Sequence, residues 1–484
     1  MCHRHQNDYF KQKKIHDWLS CGSITQFKLT GVQWCYEFAK MVKPAFLVCI
    51  CILFVEVGVA EEFDNWREYV ELIESLNEDD FKEKEMKSPY NIPPEFPCAI
   101  ESPANRPKMD VHHLHPADIK VIAAMGDSLT AGNGAKANNP LQCLIEYRGV
   151  VYSVGGDDYE NYSQEEGKVI TLATMLKQYQ EGISGYSIGT GDVDSEGANL
   201  NVGVAGARSE HMETHANWLI ERLQEHETDY ENDWKMVTLF IGGNDLCAWC
   251  RDKDKYKPET YIDNIRKALD VLHDELPKTF VNLISVIQVI EINKMDDLLC
   301  NIIHQVVCPC AKLSGNNTDE VSELVDVMRE YQRLTRELVD SGRYDTRDDF
   351  TVVVQPFLEH TGMPWNEEIG GWDDSMMAPD CFHFSELGHQ LSAAALWNNL
   401  FEAVGNKTTD FDYSNLYFTC PGPSDFFRTR LNNGTEARNP TTMPVPVAPM
   451  TTRHREGVSK ASLPMATIYA FVLVLGMLPT VIHL

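Results

Sequence analysis

The chain has 484 residues and a formal net charge of −30, with 43% hydrophobic and 24% charged residues, a globular composition. So acidic a surface excludes nucleic acid as a partner, and excludes adsorption to anionic membranes through a basic patch. The length allows a large apolar core, so disulfides add to stability without being its main source.

Residues 1–60 read as an N-terminal extension and signal peptide. Their apolar run Pro44–Ala60 follows Lys40 and Lys43 and closes on Gly58-Val59-Ala60, small residues of the kind a signal peptidase needs. A true start at Met41 gives an ordinary signal and a mature chain beginning near Glu61. Residues 61–117 are charged and helix-prone, then Pro-rich, and read as an N-terminal arm covering the main domain.

The main domain is placed at 118–420. Short apolar runs at Ile119–Met125, Asn199–Ala205, Met236–Ile241, Phe280–Val289 and Phe350–Gln355 predict strands. Between and after them, helices are predicted over Lys168–Tyr179, 209–225, Pro258–Glu275, Asp319–Asp340 and Ser385–Val404. This alternation predicts a three-layer α/β/α fold with a central, mainly parallel sheet. Ligands in such folds sit beyond the carboxyl ends of the strands. Residues 421–465, rich in Pro and Thr, predict an extended stalk. The apolar segment 466–484, with small residues upstream, predicts a lipid-anchor signal attached near Ser459, with a transmembrane segment as the rival.

Of 14 cysteines, five lie within residues 1–60, leaving Cys98, Cys143, Cys247, Cys250, Cys300, Cys308, Cys310, Cys381 and Cys420. In an oxidising compartment most of these nine should pair and at least one should be left over. Cys247-x-x-Cys250 with Cys308-x-Cys310 is a poor zinc pattern, because the second spacing is too tight. Asn161, Asn316, Asn406 and Asn433 each begin a glycosylation sequon, which agrees with export.

Four blocks carry the chemistry, each following a predicted strand or opening a helix. They are Gly126-Asp127-Ser128-Leu129, Gly203-Val204-Ala205-Gly206-Ala207, Gly242-Gly243-Asn244-Asp245 and Asp380-Cys381-Phe382-His383. Together, in this order, they resemble the GDSL esterase/lipase family, also called SGNH hydrolases, over roughly residues 118–405. Within it, the stretch from Ala378 to Ser385, with Gly388-His389 and Leu396-Trp397-Asn398-Asn399, resembles the membrane-associated phospholipase B1 group. The resemblance implies Ser128 as nucleophile and Ser128, Gly206 and Asn244 as oxyanion donors. It also implies removal of fatty acyl chains from glycerophospholipids and lysophospholipids at a membrane, with no cofactor and no metal.

Elementary chemistry asks for the same parts. A serine hydroxyl needs a base to take its proton, and His383 has Asp380 three residues before it to fix its tautomer and stabilise the imidazolium. An oxyanion needs waiting donors, and Gly206 has no side chain to block its N–H. Several rivals stand beside this reading. Gly203 competes with Gly206, and His389 is a second base, though it falls inside a helix. Arg208 is read as a solvated helix-start residue, with phosphate binding as the alternative. Gly185-Tyr186-Ser187-Ile188-Gly189 fits a different hydrolase motif but lacks the strand before it and the helix after it. An esterase acting on acylated glycans or small esters, and a non-catalytic receptor on a hydrolase scaffold, are the other functions weighed.

Overall fold

A computed structural model describes residues 64–76, 92–93, 95–104, 110–157, 169–226, 228–312, 318–367, 370–433 and 441–444. The signal and anchor segments, and the sequons at Asn161 and Asn316, lie outside the described residues. No helix among the described residues is long and apolar enough to cross a membrane.

The elements in chain order are α1 (Asp64–Glu74), β1 (Ile119–Gly126), α2 (Ser128–Ala131), α3 (Leu172–Tyr179), α4 (Met212–Glu225), β2 (Trp234–Phe240), α5 (Gly243–Ala248), α6 (Pro258–Glu275), β3 (Thr279–Ile284), α7 (Leu298–Val307), α8 (Thr318–Asp340), β4 (Phe350–Gln355) and α9 (Glu386–Phe401). These four strands form one parallel sheet in the order β1-β2-β3-β4, and two short antiparallel pairs, Trp365–Asn366 with Gly371–Trp372 and Tyr417–Cys420 with Thr441–Pro444, lie outside it. Each connection is a helical crossover, which parallel pairing requires.

Alternate side chains of every strand enter opposite layers, so both faces of the sheet are buried and the strands read as continuous apolar runs. Val121, Ala123, Val237, Leu239, Val281, Leu283 and Val352 face the layer holding Tyr69 of α1, Leu219 of α4, Leu269 of α6 and Leu324 of α8. Ile122, Ala124, Met236, Phe240, Phe280, Ile284 and Val353 face the layer of α3 and α9. The sheet with helices on both faces is the three-layer α/β/α arrangement expected.

Helix α9 is buried along its whole length because it is covered on two sides. Ser385 caps it, its Oγ accepting from the Gly388 N–H at 3.2 Å. On its outer side Trp397 Nε1 donates to the Thr419 carbonyl at 2.7 Å, and Asn398 bonds the backbone of Tyr417 and Thr419 at 2.8 Å each.

Two expectations change. The run Asn199–Ala205 is not a regular strand; it meets β1 through the single bridge Ala124↔Asn201. Asn199 has φ 52°, which breaks the extended run at its start. On the run's far side the buried Arg148 guanidinium takes the Asn201 and Gly203 carbonyls at 3.1 and 2.9 Å, where a further strand would otherwise pair. Second, residues just past 420, assigned to the stalk, pack on the domain. Phe427, Arg428 and Asn432 are buried, and the Phe427 N–H donates to the Leu114 carbonyl.

Among the described residues, four disulfides join Cys98–Cys420, Cys247–Cys308, Cys250–Cys310 and Cys300–Cys381. The four cysteines considered for zinc are thus two disulfides, and Cys143 is a buried thiol.

Candidate active site

Register brings the site to one rim. Gly126, Phe240, Ile284 and Gln355 are neighbours in one row across the carboxyl ends of the strands. The residues that follow β1 and β2 in the chain, Asp127-Ser128 and Gly243-Asn244, therefore emerge side by side.

Asp127 caps the single-turn α2, its Oδ1 accepting from the Leu129 N–H at 3.0 Å, and Ser128 opens that turn, buried at 4% exposure. Burial pushes the Asp127 carboxyl up to about 7, against the pull of the Leu129 N–H and of His383.

The second block is tied to the first by Asn201. Its Nδ2 donates to the Thr130 carbonyl at 2.7 Å, and its Oδ1 accepts the Gly203 N–H at 3.0 Å. That bond uses the Gly203 donor. Gly206 holds φ 76°, a left-handed conformation that favours glycine. The geometry thus favours Gly206 over Gly203 as an oxyanion donor.

The third block locks onto the second. Asn244 Nδ2 donates to the Ala207 carbonyl at 2.9 Å, and an amide nitrogen has a second proton to offer. Asp245 accepts from the Ser209 N–H at 3.0 Å and from the Ser209 hydroxyl at 2.5 Å.

The fourth block is a tight turn between Ala378 and His383, closed by the Ala378 N–H donating to the His383 carbonyl at 2.8 Å. Asp380 and His383 are 0% and 1% exposed. Asp380 Oδ1 accepts the Phe382 and His383 N–H groups at 3.0 Å each, and Oδ2 accepts His383 Nδ1–H at 2.6 Å. Burial alone would raise this carboxyl; the His383 charge and the hydrogen bonds outweigh it and hold it at about 2. The carboxylate therefore stays charged and fixes the imidazole with its proton on Nδ1. The other nitrogen, Nε2, is buried with no hydrogen-bond partner, so the Ser128 hydroxyl is not bonded to it here. Bonds of this kind commonly close only once substrate is bound. The segments that follow the two blocks do meet, for the Glu386 N–H donates to the Ala135 carbonyl at 2.6 Å, and His383 acts on the Asp127 carboxyl.

The rivals fall in other places. His389 is buried, stacked on Tyr152 at 6.1 Å with its Nδ1 accepting the Tyr152 N–H, and burial and the nearby His383 bring it down to about 3. Ser187 is buried with its Oγ donating to the Arg148 carbonyl at 2.7 Å, and it lies in a loop, not between a strand and a helix. Arg208 departs from expectation: it is buried, not solvated, with its guanidinium 5.4 Å from the centre of the Tyr256 ring. Asn406 and Asn433 are exposed.

Sequence reasoning missed three contributors. Tyr69 of α1 donates its hydroxyl to Asp380 Oδ2 at 2.7 Å, and Trp66 sets its ring edge-on to His383 at 6.1 Å. Cys300 holds Cys381, one of the two residues between Asp380 and His383. The one signal was the spacing of Trp66, Tyr69 and Ile73, which marks an apolar helix face without naming what it covers.

The family model of the GDSL-like Lipase/Acylhydrolase family matches residues 122–396. The chain is 45% identical over 349 residues to human "Phospholipase B1, membrane-associated", covering 70% of this chain and 23% of the relative. The mouse protein of the same name is 43% identical over 368 residues, covering 72% and 24%. The chain thus spans about a quarter of the length of these curated relatives. A solved structure described as a GDSL-like lipase, from Parabacteroides merdae, is similar at 14% identity with a TM-score of 0.28, covering 57% of this chain and 92% of that one.

Proposed function

This chain belongs to the GDSL-like lipase/acylhydrolase family, and from that premise we propose that it is a serine ester hydrolase removing fatty acyl chains from glycerophospholipids and lysophospholipids. The observation that carries the reading is the buried dyad. His383 Nδ1 is held by Asp380 at 2.6 Å, and Nε2 is left without a partner beside the Ser128 block. Ser128 attacks the ester carbonyl as His383 takes its proton. The oxyanion is met by the Ser128 and Gly206 N–H groups and the Asn244 amide, and His383 returns the proton to the leaving alcohol. Water, activated by the same imidazole, then releases the fatty acid from Ser128. The phospholipid substrate follows from the names of the curated relatives and the 42–45% identity to them. Four disulfides favour an oxidising compartment, which supports export and glycosylation at Asn406 and Asn433.

The test compares wild type and Ser128→Ala on choline phospholipids, lysophospholipids, triglycerides and short-chain esters, with labelling by a fluorophosphonate probe. The reading expects lysophospholipid and phospholipid turnover and probe labelling in wild type, and neither in the variant. Full turnover by Ser128→Ala would overturn it, and hydrolysis confined to short-chain esters would replace the substrate class.

A further inference from the structure

We infer that Tyr69 is a positioning residue for the catalytic dyad: its hydroxyl fixes the Asp380 oxygen that orients His383, so that a helix ahead of residues 122–396 completes the active site. The inference rests on the function proposed above and deepens it.

Asp380 is a fully enclosed carboxylate with four hydrogen bonds, the number its two oxygens accept. Two come from the backbone N–H groups of Phe382 and His383 to Oδ1, and the third from His383 Nδ1 to Oδ2 at 2.6 Å. The fourth is the Tyr69 hydroxyl, donated to the same Oδ2 at 2.7 Å across 311 residues of sequence. Tyr69 is 0% exposed, so water cannot replace it there. Its ring and that of Trp66 lie edge-on to the imidazole at 5.9 and 6.1 Å, walling one side of the dyad. Burial and the neighbouring Asp380 charge keep the Tyr69 proton on its oxygen, so it acts as a fixed donor.

A donor on the shared oxygen does two things. It holds the carboxylate in the orientation that meets Nδ1, and it draws charge away from Oδ2. Without that donor, Oδ2 would set more charge against the imidazolium that forms when Ser128 gives up its proton. Other titratable groups face the dyad. Asp127 and His389 feel His383, His304 of α7 feels Asp380, and the Cys143 thiol faces Tyr69. Of these side chains, Tyr69 is the one that hydrogen-bonds the Asp380 carboxylate.

The experiment measures kcat and KM against pH for wild type, Tyr69→Phe, Leu72→Ala and Ser128→Ala, using a p-nitrophenyl acyl ester and a choline lysophospholipid. Phenylalanine keeps the ring packing and removes the donor. Leu72 is buried on the same helix and away from the dyad's hydrogen bonds, so Leu72→Ala tests loosened docking alone. The expected result for Tyr69→Phe is a kcat about tenfold lower with KM within about twofold, and an acid limb of kcat/KM moved up by about half a pH unit. Leu72→Ala should lower Tm and leave the acid limb in place. Wild-type kcat and acid limb in Tyr69→Phe would overturn the inference, as would the same limb shift in Leu72→Ala. An inactive Ser128→Ala beside an unaltered Tyr69→Phe would sink this inference alone. Turnover by Ser128→Ala would remove the reading beneath it as well.

Discussion

The disulfide between Cys300 and Cys381 fastens the turn that carries Asp380 and His383 to helix α7. Cys381 sits at φ 60°, a conformation uncommon outside glycine, and its carbonyl also accepts from His304 Nε2 at 2.8 Å. Two ties from one helix thus converge on Cys381, one of the two residues between Asp380 and His383. Replacing both cysteines by serine should lower stability by about 2–4 kcal/mol. It should also lower kcat about tenfold, because a dyad free to drift loses its alignment. Thermal melts with kcat measured well below Tm would check both. A variant with reduced Tm and unchanged kcat would mean that the disulfide serves stability alone.

Asp380→Asn separates charge from shape. The amide still offers an oxygen to the backbone N–H groups of Phe382 and His383, but it has no charge to stabilise an imidazolium and can present N–H to Nδ1. The imidazole then carries its proton on Nε2, where it cannot take one from Ser128. A fall in kcat of about 10⁴ with little change in KM is expected by analogy with other serine hydrolases. Steady-state kinetics on a single lysophospholipid would check it.

How much of this was legible depends on distance along the chain. Ser128 and Asn244 were readable because each follows an apolar run, and parallel register carries such run ends to a common rim. Asp380 and His383 were readable as a pair because they stand three positions apart. Tyr69 was not, since nothing in an amphipathic helix names a partner 311 positions away. Arg208 was misread for the same reason: Tyr256, which covers it, lies beyond α4, β2 and α5 in the chain. The Asn199–Ala205 run had strand composition, but the Arg148 guanidinium that occupies its outer carbonyls comes from a loop no periodicity reveals.

Ser187 offers a control on motif reading. Its Gly-x-Ser-x-Gly setting suggests a nucleophile, yet its hydroxyl is committed to the Arg148 carbonyl at 2.7 Å. Ser187→Ala should retain wild-type kcat and cost roughly 1 kcal/mol of stability from the lost hydrogen bond. Loss of fluorophosphonate labelling in this variant would move the nucleophile away from Ser128.

Asn244 already spends one amide proton on the Ala207 carbonyl at 2.9 Å, which ties the second block to the third and leaves the amide a second proton to donate. Asn244→Ala should lower kcat by about 10²–10³, the usual effect of losing one oxyanion donor. Asn244→Asp is the sharper variant, because it keeps the size and replaces the donor with a charge repelling the oxyanion. Its kcat should be lower still, and a kcat above that of the alanine variant would remove Asn244 from the oxyanion hole.

Asp127 gives the stability of the protein a pH dependence of its own. In the unfolded chain its carboxyl ionises near about 4. In the folded protein burial pushes it up to about 7, so the folded state keeps a proton that the unfolded state has already released. Below about 4 both states are protonated and the fold bears no penalty; between about 4 and 7 stability falls as pH rises; above 7 the loss is complete. Asp380 works in the opposite sense and a different window. Its folded value of about 2 contributes stability above about 4 that is lost as pH falls toward 2. Asp127→Asn removes the first effect without touching the second, because the amide oxygen can still accept the Leu129 N–H that caps α2. Melts from pH 4 to 8 should therefore show the variant level with wild type at pH 4 and a few degrees above it at pH 8. Equal melting temperatures across the whole range would mean that Asp127 is charged in the folded protein at no cost. Its closeness to His383 would then have to be reinterpreted as an attraction strong enough to offset burial.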